Sequence, residues 1–192
     1  ITTNDSSGND SDVTIDGGVQ ALIISTSTID GDLTLRTGDS NGITDDGTVT
    51  VGGNFSATTD ANAGVINMGT MAVDGSFTLA PNGSGAVTIV NDAGLTLAAS
   101  TMGGTFSGTA TTGNISDDGA LAITGTTTLV TSADGGTIAL DVATNAFTGA
   151  MTITTNDSSG NDSDVTIDGG TTALIIAAST IDGDLTLTSG NA

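Results

Sequence analysis

Carboxylate and hydroxyl oxygens are the only abundant chemistry this chain offers. All 22 acidic residues are Asp, and the 192 residues contain no His, Cys, Glu, Lys, Trp or Tyr. Asp5, Asp10 and Asp12 stand in the polar, Gly/Asn-rich segment 4–12, which recurs as 156–164 with Asp157, Asp162 and Asp164. Several hard oxygens on a short turn-forming loop suit calcium, so these six aspartates are the candidate metal ligands. Their spacing matches neither the EF-hand loop, which ends in Glu, nor the glycine-rich nonapeptide of calcium-binding β-rolls. Beyond possible calcium, nothing in the sequence implies a cofactor.

Carboxylate pairs are the second candidate. Asp30/Asp32, Asp45/Asp46, Asp117/Asp118 and Asp182/Asp184 could supply the two acids of a polysaccharide hydrolase. Sugar sites usually add stacking aromatics and bases, and this chain has four Phe and one base, Arg36. Nucleophilic catalysis lacks its His or Cys, and phosphate-loop, dinucleotide and zinc motifs are absent. The expectation is a protein that is not an enzyme. Thr-x-Thr pairs such as Thr48/Thr50 and Thr126/Thr128 raise ice binding as a further class, but that needs one flat face repeated on consecutive coils.

The elements that position these residues come in an array. Residues 1–18 reappear unchanged as 153–170, and aligning 1–40 with 153–192 gives 32 identities in 40 pairs at an offset of 152. A fixed long period is the signature of repeat architecture. The whole chain, 1–192, reads as one continuous segment of about one and a quarter units, a window on a longer protein.

Inside the long unit a shorter motif recurs, with apolar residues two before and usually two after a glycine. It appears as Ile29-Asp30-Gly31-Asp32-Leu33, Val51-Gly52-Gly53-Asn54-Phe55 and Val73-Asp74-Gly75-Ser76-Phe77. Met102-Gly103-Gly104-Thr105-Phe106, Ile123-Thr124-Gly125-Thr126-Thr127, Phe147-Thr148-Gly149-Ala150-Met151 and Ile181-Asp182-Gly183-Asp184-Leu185 complete the series. Such alternation is the period of a strand with one buried face. Thr, the commonest residue at 38, favours strands, while Gly, Asn and Asp punctuate them with turns. Ile43–Thr44, Val65–Met68, Ala86–Val90, Asn114–Ser116 and Thr137–Leu140 are further strand candidates.

The glycines lie 21 to 34 residues apart, six intervals to the unit. This predicts an all-β fold, a parallel β-solenoid with about three short strands per coil and six coils per 152-residue unit. The chain would then stack about seven coils at roughly 4.8 Å each, and the six coils of one unit would advance about 29 Å. Ile29, Val51, Val73, Met102, Ile123, Phe147 and Ile181 should form one inward column, with each glycine pointing inward where the coil bends.

A net charge of −21 argues against nucleic acid and anionic lipid as partners, since phosphate contacts need Lys and Arg. Apolar runs such as Ala21–Ile24 are far too short to span a bilayer. Zero cysteine excludes disulfides and leaves the compartment open.

The glycine anchors, with phrases such as 120–129 (Ala-Leu-Ala-Ile-Thr-Gly-Thr-Thr-Thr-Leu) and Asn145-Ala146-Phe147-Thr148-Gly149, resemble the repeats of filamentous-haemagglutinin-type adhesins and related giant bacterial surface proteins. The resemblance covers the whole chain. It implies a right-handed parallel β-helix, exported to the bacterial cell surface or beyond it as a stiff extracellular shaft. It implies no functional residues within the shaft. The expected partners are neighbouring repeat units, copies associating end to end, and a host or neighbouring cell reached through other domains. The near absence of Arg and Lys departs from any heparin-binding variant of that family.

Overall fold

The computed structural model describes residues 1–3, 10–156, 158 and 160–190. Among them there is no helix, and every strand pair is parallel. The chain winds as a β-solenoid of about eight turns.

Three sheets wall the coil. The first stacks Val13–Asp16, Leu33–Thr37, Phe55–Thr59, Ser76–Ala80, Leu95–Leu97, Ile115–Asp117, Ile138–Leu140, Val165–Asp168 and Leu185–Thr188 in chain order. The second runs from Leu22–Ile24 through Ile43–Asp45, Ile66–Val73, Val87–Asn91, Phe106–Ala110 and Thr127–Asp134 to Met151–Asn156. Two short strands, Ser27–Ile29 and Val49–Val51, extend its lower half and pair on to Ile66–Val73. The third sheet belongs to the upper half and contains Ser100–Met102, Leu121–Ile123 and Ala146–Phe147. Each of the five strand candidates read from the sequence overlaps one of these strands, four of them starting one residue early.

Alternation places the apolar residues as expected. Leu33 and Leu35 are fully buried while Thr34 and Arg36 face outward. All four phenylalanines are buried, each contributing about 2–3 kcal/mol by removal from water. Phe55 and Phe77, on successive coils, stack with ring centroids 5.8 Å apart and planes tilted by 59°. Arg36 forms an ion pair with Asp60 at 2.7 Å, exposed at the surface and therefore of small energetic weight.

The coil count differs from the expectation. Sheet pairing takes seven steps, not six, from Val13–Asp16 to its copy Val165–Asp168. One unit therefore advances about 34 Å at the usual strand spacing. Register steps range from 19 residues, Val87 to Phe106, to 27, Ile138 to Val165. The reason is that the glycine motif marks two corners of the coil. Gly31, Gly53 and Gly75 stand over one another where the second sheet turns into the first. Gly104, Gly125 and Gly149 stack at the entry to the second sheet. The long intervals are those in which the motif changes corner, and they hide the seventh coil.

The single column divides for the same reason. Ile29, Val51 and Val73 form one ladder, and Met102, Ile123 and Phe147 another on the third sheet. These six are buried as expected; Ile181 is only partly covered. Nor do the glycines point at the column. A Cβ on Gly53 would strike Gly31 and the Asp32 carboxylate, and one on Gly125 would strike the Gly104 carbonyl. Their missing side chain makes room for the coil below.

Candidate functional site

The corner at Gly31, Gly53 and Gly75 carries a regular polar array from coil to coil. Asp12 Oδ1 accepts the Asp32 N–H at 2.8 Å, Asp32 Oδ1 accepts the Asn54 N–H at 2.6 Å, and Asn54 Oδ1 accepts the Ser76 N–H at 2.9 Å. Each side chain stands in for a backbone carbonyl where the sheet hydrogen bonds lapse at the turn. The copy repeats the first rung, with Asp164 Oδ1 accepting the Asp184 N–H at 2.8 Å. Asp or Asn beside the motif glycine is thus a rung between coils: the glycine lets the coils approach, and the short side chain bridges the gap.

These contacts account for two of the six candidate calcium ligands. Asp12 and Asp164 each bond to the coil above. Asp10 and Asp162 are exposed, and Asp5 and Asp157 lie outside the described residues. Among the described residues no three acidic side chains come together to hold a metal ion.

The carboxylate pairs behave similarly. Asp45 accepts the Gly69 N–H at 2.8 Å and the Thr70 N–H at 2.7 Å, one coil up. Asp117 accepts from the Asp141 N–H at 3.0 Å and from Asn145 Nδ2 at 2.6 Å. Burial pushes the Asp117 carboxyl above its ordinary value, and these hydrogen bonds pull only part of the way back. Asn145 in turn accepts the Leu121 N–H at 2.8 Å, linking Asp117 to the central strand of the third sheet.

A shallow groove of about 290 Å³ runs along the axis beside the second sheet, lined by Thr48, Gly69, Thr70, Met71, Val90, Asp92 and Thr111. It spans four consecutive coils and includes one carboxylate, Asp92. The two-carboxylate mechanisms of sugar hydrolysis require a second acid across the bond, and the lining does not supply it.

The polar residues that matter most for the fold were not legible in the sequence. Asn91, fully buried, closes the ladder above Val73 through both ends of its amide. Ser100 Oγ accepts the Leu79 N–H at 2.9 Å, at the lower edge of the third sheet. Their function depends on which residue lies one coil away, and a single Asn or Ser in so polar a chain carries no such mark. No helix among the described residues is long and apolar enough to cross a membrane.

No curated protein matches the chain, and no solved structure does. A family model described as repeats of unknown function (DUF5649) matches residues 10–69 and 84–154. The two matched stretches meet the coils on either side of the change of corner and together cover most of the chain, which belongs to this repeat family.

Proposed function

We propose that this chain is a length of structural shaft in a fibrous protein of the bacterial cell surface or secreted space, a stiff spacer without catalysis. The observation that supports it most is continuity. The copy that begins at Ile153 is laid directly on the unit before it, with Ile138 pairing Val165 and Leu140 pairing Ile167. No linker intervenes, and the first sheet passes through the junction on to Leu185–Thr188. A unit that joins its successor by hydrogen bonds and core contacts makes a rod instead of beads on a string. The resemblance to filamentous-haemagglutinin-type repeats gives the finer form of this reading, an adhesin whose binding activity lies in other domains.

The partners in this reading are further units of the same kind. Leu185 and Leu187, each 43 % exposed, present a strand edge and an apolar row at one end, and the partly covered Val13 and Ile15 of the edge strand Val13–Asp16 do so at the other. Such edges favour pairing with another strand, so isolated copies should associate end to end.

Electron microscopy of chains carrying one, two and four units provides the test. The expected result is a straight rod lengthening by about 34 Å per unit; particles that bend freely at each junction would overturn the shaft. Cleavage of a polysaccharide by the purified chain, lost on a single Asp→Asn change, would overturn the absence of catalysis.

A further inference from the structure

The repeat and the coil do not keep the same count. The ladder leaving Leu22 passes through Ile43, Ile66 and Val87, then Phe106, Thr127 and Met151, and arrives at Ile176. The copy of Leu22 is Leu174, two residues short of that point. The first sheet gives the same result by a separate path. Val13 leads through Leu33, Phe55 and Phe77 to Leu97 and Asp117; one rung along, Ser116 leads through Ala139 to Thr166. The ladder from Val13 thus arrives at Ile167, whereas the copy of Val13 is Val165. At the far corner, Ser27 leads through Val49, Met71, Asn91 and Ala110 to Thr131. The step above Thr131 falls where the register shifts between Val130↔Thr154 and Asp134↔Asn156, so this corner leaves the phase to the other two paths.

The first and second sheets show the same offset, in the same direction. We infer that each unit is seated on its predecessor two residues out of phase, so that equivalent surface features wind around the shaft. The interaction surface is the upper coil, and the partner it fits is the next copy, displaced by two residues toward the chain's start.

An offset of two is what the core permits. Side chains alternate across a strand, so a shift of two keeps every inward residue inward, while a shift of one would turn the core outward. Seven steps from Val13 to Ile167 average about 22 residues, so roughly eleven units complete a circuit. A feature borne once per unit would thereby be presented to every side of a fibre and not along one line. The inference deepens the shaft reading and rests on it for the longer array, but the offset itself is contained within this chain.

The absence of cysteine makes the register directly measurable. Directly paired residues on neighbouring strands lie about 4.8 Å apart, within disulfide reach, while a pair displaced by two residues lies about 8 Å apart and outside it. Double-cysteine variants of the outward-facing pairs would be oxidised at each of the seven steps. Ser76→Cys with Thr96→Cys should close, and Thr78→Cys with Thr96→Cys should close at least about tenfold more slowly. Closure of the two-residue-shorter pair at any one step would restore a 152-residue register and overturn the winding. Where a variant of the first sheet fails to fold by circular dichroism, the second sheet supplies an independent series, including Thr88 with Ser107 and Ser107 with Thr128. A 152-residue register with rigid tandem rods would remove the winding and leave the shaft, whereas flexible arrays with the offset intact would do the reverse.

Discussion

The side chain of Asn91 treats Val73 as a neighbouring strand would. Its Oδ1 accepts the Val73 N–H at 2.9 Å, and its Nδ2 donates to the Val73 carbonyl at 3.0 Å and to the Gly94 carbonyl at 2.6 Å. Val73 is the last rung of the ladder that begins at Ile29, and the amide satisfies backbone groups that the next coil leaves behind. Replacing Asn91 with Leu keeps the volume but strands a buried donor and acceptor, at a cost of about 3 kcal/mol. Urea unfolding should show that loss, and amide exchange at Val73 should accelerate.

Thr127 presents the opposite case. It occupies an inward position between Phe106 and Met151, and its hydroxyl is buried without a hydrogen-bond partner. Thr131, in the same strand, donates to the Gly136 carbonyl at 3.1 Å. Thr127→Val should therefore stabilise the protein by about 1 kcal/mol, while Thr131→Val should destabilise it by a similar amount. Paired thermal melts would separate the two.

Glycines at the corners and in the walls should differ as sharply. A Cβ on Gly125 would collide with the Gly104 backbone, which can yield only by parting the coils. Gly125→Ala should cost about 3 kcal/mol or more. Gly69 faces open space, the nearest atom to a Cβ placed there being Asp45 Oδ1 at 3.9 Å. Gly69→Ala should be neutral or gain about 0.5 kcal/mol by restricting the unfolded chain. Denaturation midpoints for the two variants give the comparison.

Acid should stabilise this protein before it harms it. Because the Asp117 carboxyl is raised above its ordinary 3.8, the folded chain holds a proton that the unfolded chain has already released at the same pH. Stability from this group falls as pH rises through the interval above 3.8 and returns as pH is lowered through it. Relief of repulsion within a chain of net charge −21 acts in the same direction. Melting temperature should rise on acidification from pH 7 toward that interval, and less so in Asp117→Asn.

The solenoid was legible because its cause is local. Alternation around a glycine places Ile29, Val51, Phe55 and Phe77 inward whichever coil lies above them. Coil number was not legible, because Gly75 and Gly104 share a motif but stand at different corners, and only the pairing of Phe77 with Leu97 shows the coil between them. The roles of Asp12 and Asp164 were hidden for a related reason. Asp12 and Asp164 are spaced as loop ligands in the sequence, yet each reaches about twenty residues ahead to bond a coil that the local pattern does not reveal.

Hydrogen bonds that run from coil to coil along the shaft also set how it responds to being pulled. Tension applied end to end loads them in series, one rung at a time, so the outermost coil should peel before its neighbours are strained. Each coil that yields exchanges about 4.8 Å of rod for roughly 70 Å of extended chain. Under single-molecule force the expected trace is a long run of small, nearly equal steps with no single rupture. A tether of this kind absorbs a sudden load by lengthening, and rewinds one coil at a time when the load is removed.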